Sequence, residues 1–406
     1  MYSLYIHIPF CRQACHYCDF HFSTTLKRKP QMVNALCKEL ELRRVEASTP
    51  LQTIYFGGGT PSVLTSVELQ EIFSTIHKHY RIASGAEITM EVNPDDFSTP
   101  KSELSLELLK ELGINVIEFL PVFEWDDRTG NLNREVGLLK NVWGYNPINF
   151  FALTKKYSSS TDINSFAEQA KDFIAQAVQY FDNITLDLIY GIPSMTLARW
   201  KENILQALSF GIPHLSAYAL TVEPRTALYQ FIKKGKIPPT NDGQAKEHFY
   251  LLKDLLEAKG FIHYELSNFG KEGYFSRNNT AYWEQKPYIG IGPSAHSYTG
   301  EERMWNISHN IKYIEQISQG ILPQERETLS LKDRYNERIM TGLRIQKGIS
   351  TEAIERDFGE FFLNYLKKEA LPYIEKGLLV YHNGHIITSE KGLFLSDGIA
   401  SDLFML

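Results

Sequence analysis

Cys11, Cys15 and Cys18 stand as CxxxCxxC near the start of the chain, in a loop directly after the β-rich run SLYIHI. Three thiolates at this spacing can converge on one iron–sulfur cube, each taking one corner iron. The fourth iron then has no protein ligand. S-adenosylmethionine can chelate that iron through its amino and carboxylate groups and receive an electron at its sulfonium. The competing use is a structural zinc ion, but zinc sites usually take four ligands, so His7 or His16 would have to complete the set. The remaining cysteine, Cys37, lies in the helical pattern QMVNALCKELELRR and reads as core. Four cysteines in 406 residues, three of them packed together, make a poor disulfide framework and a good metal site in a reducing compartment.

A rigid frame must hold such a loop, and the first half of the chain supplies one. SLYIHI, TIYFGG, EITMEV, INVIEFLPV and ITLDLIYG read as buried strands, while 30–44 and 66–80 read as amphipathic helices. Strand, helix and strand in series imply parallel pairing, with reactive groups at the carboxyl ends of the strands. From about Leu329 the pattern changes to helices followed by a small hairpin, which predicts a compact winged-helix-like domain. Charged residues make up 22% and hydrophobic ones 43%, enough to bury a large core. With 42 basic against 48 acidic residues the net charge is −6, so no positive field attracts nucleic acid. The opening MYSLYIHIPFC lacks a basic n-region, an apolar h-region and a cleavage site, and cytoplasmic residence is expected.

The stretch YIHIPFCRQACHYCDF resembles the radical S-adenosylmethionine enzymes of the oxygen-independent coproporphyrinogen III oxidase group, and its CDF ending resembles that group's heme-chaperone branch. The oxidase branch usually carries a further cysteine after the triplet, where this chain has Phe20. YFGGGTPS at 55–62, EVNPDD at 91–96, DLIYGIP at 187–193, SAYALTVEP at 216–224, HYELSNF at 263–269, GIGPSAHSY at 290–298 and SDGIASDLF at 396–404 are similar to the same group. This resemblance covers residues 1 to about 100 and about 181 to the end. It implies a [4Fe–4S] cluster on Cys11, Cys15 and Cys18. The backbone of Gly57, Gly58, Gly59 and Thr60 would approach the methionine end of S-adenosylmethionine. Glu91 and Asp187 would accept hydrogen bonds from its ammonium or ribose, and Tyr5 would stand near the cluster.

Two departures interrupt the pattern. From Asp96 to Asp187 the chain runs about 90 residues, room for about three β–α units where the radical-enzyme pattern needs two. The family would read close to INRVSIGVQSF there, whereas this chain has INVIEFLPVFEWDDRTGNLNREVGLLKNVWGYNPINFFALTKKYSSS. That stretch, Ser105 to Tyr157, resembles the isoamylase and glycogen-debranching members of the alpha-amylase family, so a graft of one β/α barrel into another is expected. Val122 then replaces a glutamine expected to contact S-adenosylmethionine, a loss of about 1–3 kcal/mol, and Arg134 is the substitute for the family's carboxylate-binding arginine. No hydrolase activity comes with the graft. Glycosidases need paired carboxylates from later strands, and Glu118, Glu124, Asp126 and Asp127 read as surface or strand-end acids; Trp143 and Tyr145 read as packing.

The second departure lies at RNNTAYW, 277–283. The heme-chaperone branch often shows HNxxYW, a motif proposed to hold heme. Asn278 occupies the histidine position and is a poor iron ligand, while Asn279, Tyr282 and Trp283 match; His263 and His296 are further candidates.

The expected fold is α/β: a radical S-adenosylmethionine partial barrel over 1–300 with an amylase-like graft at about 103–160, a connecting segment 301–328, and a mainly helical accessory domain 329–406. The expected role is a cluster- and S-adenosylmethionine-binding heme chaperone, impaired by the graft and by Asn278, that passes heme to an acceptor protein, including a peripheral membrane client. A working oxidase-like radical enzyme and a carbohydrate-binding protein are the alternatives.

Overall fold

The computed structural model describes residues 2–97, 104–121 and 163–406, with the side chains of Asp95 and 163–170 left aside. Arg134, Val122, Glu124, Asp126, Asp127, Trp143 and Tyr145, and most of the amylase-like stretch, lie outside the described residues.

Seven parallel strands form the centre of one large sheet, in the order β9 (Tyr288–Ile291), β1 (Tyr2–Ile8), β2 (Leu51–Gly58), β3 (Ile82–Val92), β4 (Val116–Phe119), β5 (Asn183–Tyr190) and β6 (His214–Ala219). Strict alternation gives the sheet two unlike faces. Leu4, Ile6, Ile54, Phe56, Met90, Ile117, Phe119, Leu186 and Leu188 are fully buried on the face that the helices cover. On the opposite face, Tyr5, His7, Tyr55, Glu91, Glu118 and Asp187 occupy the alternate positions.

The covering helices follow the sequence expectation. Helix Ser66–His79 starts with a capping box, in which the Thr65 hydroxyl accepts from the Glu68 N–H and the Glu68 carboxylate accepts from the Thr65 N–H. Its Leu69, Ile72, Phe73 and Ile76 stripe is buried, each side chain contributing about 1.5–3 kcal/mol. Strand β4 pairs in parallel register with β3 on one side and β5 on the other, so the start of the amylase-like stretch is an ordinary member of this sheet.

Beyond β6 the sheet continues antiparallel through β8 (Asn268–Gly270) and β7 (Ile262–Glu265), and at its other edge residues 301–328 hold β11 (Glu302–Asn306), helix Asn310–Ser318 and β12 (Gln324–Thr328), which extend it with β10 (His296–Tyr298). Past residue 330 a second core gathers Tyr335, Ile339, Leu343, Leu363 and Leu366. Helices Leu331–Leu343, Thr351–Phe358 and Glu360–Glu375 pack there with a small sheet of β13 (Ile349–Ser350), β15 (His385–Thr388) and β14 (Leu379–His382). Backbone bonds from Leu266 to Arg344 and from Gln346 to Tyr264 tie the two units. Among the described residues no helix is long and apolar enough to cross a membrane.

Candidate functional site

The cysteine loop leaves the carboxyl end of β1 and is anchored at both ends. Cys11 N–H donates to the Ser23 carbonyl (3.1 Å) and Ser23 N–H to the Pro9 carbonyl (2.9 Å). Midway, the His16 carbonyl accepts from Leu228 N–H (2.9 Å), and its ring meets the edge of Phe231 on helix Ala227–Lys233. His16 is therefore a brace. His7 is also committed, its Nδ1 to the Tyr5 hydroxyl (3.1 Å) and its Nε2 to the His21 carbonyl (2.9 Å). All three cysteines are half-buried free thiols. Burial pushes Cys11 up to about 12, and Cys15 and Cys18 rise for the same first reason, Cys15 with further contributions from Cys18 and Cys11. Thiols held in the neutral form this way lose their protons to a metal, which makes loading pH-dependent. Among the described residues no three His, Cys, Asp or Glu side chains gather around a single ion. Three thiols on one short loop, with His7 and His16 committed elsewhere and no fourth ligand beside them, suit a cube better than one zinc.

The glycine run has a different immediate reason from the one its sequence implies. Gly58 has φ +108°, and a Cβ there would lie 2.4 Å from His7 Nδ1. At Gly59 a Cβ would meet the Phe10 carbonyl at 2.5 Å, and at Gly57 it would meet Glu91 Oε1 at 2.7 Å. The missing side chains thus let the end of β2 lie flush against the cysteine loop and against β3. Gly59 N–H donates to the Ile8 carbonyl and Thr60 N–H to the Phe10 carbonyl (2.7 Å), while the Thr60 hydroxyl lies 3.6 Å from Cys11 Sγ.

EVNPDD closes the same unit. Asp96, almost fully buried, accepts from Arg12 in the cysteine loop (2.5 Å) and from Ser62 past the glycines (2.6 Å). Ser62 in turn accepts from Asn93 N–H (3.1 Å). Sequence reasoning singled out Glu91 in this motif and missed Asp96, Arg12 and Ser62, whose bridging roles depend on contacts 31 to 84 residues apart.

Glu118 corrects another expectation. It is buried on the inner face of β4, paired in register with Glu91 on β3, while Asp187 lies on the same face of β5 two residues beyond Thr185, the partner of Glu118. The Tyr55 hydroxyl donates to Glu91 (2.8 Å) and also lies in hydrogen-bonding reach of Glu118, which faces Asp187 closely enough to share a proton. Burial raises all three carboxyls; mutual repulsion raises Glu91 and Asp187 further. Among the described residues Asp187 Oδ1 is buried without a hydrogen-bond partner. This acceptor-rich pocket fits a ligand that brings hydroxyl or ammonium donors and positive charge. An acid in the middle of a predicted strand was the signal that could have placed Glu118 here.

The motif RNNTAYW forms helix Arg277–Trp283 on the inner side of the sheet, its first N–H groups capped by Glu87, which accepts from Arg277 and Asn278 (both 2.9 Å). Asn278 is 1% exposed and accepts from the Thr53 hydroxyl at 3.0 Å. Its side chain faces the strands, and Asn279 lies on a small cavity lined by Glu87 and Glu118. One turn on, Tyr282 and Trp283 open onto a separate cavity of about 580 Å³ that Tyr5 and His7 also line. Asn278 thus meets the strands through Thr53 and stays linked to Tyr282 by a side-chain hydrogen bond. His263 stacks on Phe269 at 4.3 Å and bonds the Leu266 carbonyl, a packing role.

Comparison with known proteins decides the family. The chain matches the radical SAM superfamily over residues 5–207, half its length, and the HemN C-terminal domain over residues 329–395. The heme chaperone HemW of Bacillus subtilis (strain 168) is 30% identical over 98% of this chain and 98% of its own. The chain belongs to the HemW family of radical SAM proteins. HemW of Escherichia coli (strain K12) is 29% identical over 92% of this chain and 84% of its own. The solved structure of coproporphyrinogen III oxidase (HemN) from Escherichia coli superposes with TM-score 0.77 at 20% identity, covering 100% of this chain and 90% of that one, which shows a common fold. Membership of the radical SAM superfamily implies a [4Fe–4S] cluster and S-adenosylmethionine. The superfamily match runs straight across the amylase-like stretch and gives the expected graft no support.

Proposed function

We propose that this HemW-family chain is a heme chaperone that carries a [4Fe–4S] cluster on Cys11, Cys15 and Cys18 and binds S-adenosylmethionine at the carboxyl ends of β2, β3 and β5. One observation carries the reading: the cysteine loop, the glycine run and EVNPDD are a single hydrogen-bonded unit joined through Asp96, Thr60 and the Phe10 carbonyl. A loop so anchored presents its three thiols as a fixed set. The cluster, when bound, supplies an open iron and an electron. Asp187 and Glu91 offer acceptors to the ribose and ammonium of S-adenosylmethionine, while the Gly57–Thr60 backbone shapes the wall beside them. Glu118 adds a third carboxyl that favours a cationic ligand.

Heme is the cargo on this reading, because the relatives over nearly the whole chain are named heme chaperones. The recipient is a heme-accepting protein, including a membrane-associated client. On this reading the chain works in the reducing cytoplasm, which the clustered layout of its few cysteines supports. Anaerobic reconstitution with iron and sulfide, followed by electron paramagnetic resonance with and without S-adenosylmethionine, tests the cofactor site. A cluster signal that changes on adding S-adenosylmethionine and vanishes in Cys15→Ala is expected; a colourless protein holding stoichiometric zinc would overturn the assignment. A hemin titration tests the cargo, with a Soret shift expected and an unchanged hemin spectrum opposing it.

A further inference from the structure

Strand β4 runs between β3 and β5, so Glu118 stands between Glu91 and Asp187 on the inner face of the sheet. Glu118 and Asp187 are buried, and Glu91 is half-buried. Few donors reach these carboxyls from the described residues: the Tyr55 hydroxyl, the Ser216 hydroxyl and the Gly58 N–H. The charged neighbours that act on the three are other acids, Glu87 among them. Among the described residues no lysine or arginine forms an ion pair with any of them. Without a cation such a set shares protons instead of carrying its full charge.

Acids alone do not make a site, but one of these has an acceptor to spare. Asp187 is 7% exposed, and its Oδ1 has no hydrogen-bond partner among the described residues. An acceptor buried in this way costs free energy until a ligand supplies a donor.

The order of the three acids matches the order of groups along S-adenosylmethionine. The ammonium and the ribose hydroxyls are donors, and the sulfonium lies between them, joined to each side by a short carbon chain. A sulfonium has no N–H or O–H to donate, so only its charge can be recognised. With Glu91 and Asp187 serving the two donor ends, in either order, the acid between them faces the sulfonium. In a site shielded from water that charge interaction is stronger than at a surface.

From this order we infer that Glu118 is a specificity-determining residue for the positive centre of S-adenosylmethionine, its carboxylate favouring the sulfonium over the neutral thioether of S-adenosylhomocysteine. The inference rests on the cofactor reading above and adds which group of the cofactor Glu118 reads. It is particular to this chain, because the family pattern INRVSIGVQSF carries serine where INVIEF carries Glu118.

Isothermal titration calorimetry on the anaerobically reconstituted full-length protein tests it with S-adenosylmethionine, S-adenosylhomocysteine and sinefungin. Sinefungin carries an ammonium in place of the sulfonium and so reports charge separately from sulfur. Wild type is expected to bind the two cations about tenfold or more tighter than S-adenosylhomocysteine. Glu118→Gln, which keeps the shape of the side chain, should weaken both cations about tenfold and leave S-adenosylhomocysteine within about twofold of wild type. Glu118→Ser removes the charge a second way and should lose the same preference. Equal weakening of all three ligands in both variants would make Glu118 a packing residue and overturn the inference. A wild-type preference retained in both variants would also overturn it, while the cofactor reading stands. A wild-type protein that carries its cluster and binds none of the three would overturn the cofactor reading and this inference with it.

Discussion

Gly58→Ala is the sharpest test of how the motifs are assembled. The new methyl would sit 2.4 Å from Nδ1 and 2.5 Å from Cε1 of His7, on a residue with φ +108°. His7 cannot swing aside freely, because Tyr5 and the His21 carbonyl hold its two nitrogens. The strained backbone costs about 1–3 kcal/mol, and breaking the buried imidazole bonds costs about 1–3 kcal/mol more. Gly85 provides the control: it also has positive φ, +70°, but nothing lies within 4 Å of its Cβ position, so alanine there costs only the backbone component, about 1–2 kcal/mol. Urea denaturation of the apoprotein should therefore show Gly58→Ala destabilised by about 1–3 kcal/mol beyond Gly85→Ala, the imidazole component that the control lacks. After anaerobic reconstitution it should also retain less iron, since His21 ends the cysteine loop. Combining Gly58→Ala with His7→Ala relieves the clash, so the double variant should be less destabilised than the two single effects added, by about 1–3 kcal/mol. Equal midpoints for Gly58→Ala and Gly85→Ala, or strict additivity with His7→Ala, would refute the reasoning.

Other outcomes follow from the same contacts. Asp96→Ala leaves the Ser62 hydroxyl and Arg12 without their shared acceptor; a loss of about 1–3 kcal/mol and several-fold faster iron removal by a chelator are expected in denaturation and chelation assays. Glu91, Glu118 and Asp187 have folded-state pKa values above their ordinary range. Their contribution is thus fully present below the unfolded value of about 4 and lost as pH rises through the elevated one. Apoprotein melting temperature should fall from pH 5 to 8, and Glu118→Gln should flatten that slope in thermal melts; a steeper slope would contradict the burial of this carboxyl. Asn278→His forces a larger ring against Thr53 and should destabilise the protein by about 1–3 kcal/mol, measured by urea unfolding.

Much of the frame was legible in the chain. Alternation in SLYIHI, TIYFGG and ITLDLIYG marked real strands, and the spacing of Leu69, Ile72, Phe73 and Ile76 marked a real helix, because periodicity reports directly which face is buried. The cysteine triplet, too, announced its chemistry, since three soft ligands at short spacing need no distant partner to be recognised. Glu118 misled because an acid is normally a surface residue, and only strand register places it beside Glu91.

What residue order alone determined is therefore local: the strands, the helices, the capping box and the thiol loop, each set by interactions between neighbours in the chain. The tertiary structure decided which distant groups meet. It joined Arg12 to Asp96 across 84 positions, turned Asn278 toward Thr53 across 225, and left Trp283 and His296 facing a common cavity. Side-chain periodicity states that a residue is inside; only the packing of sheet against helix fixes what it touches there, and in this protein the choice between brace and acid cluster lies in those contacts.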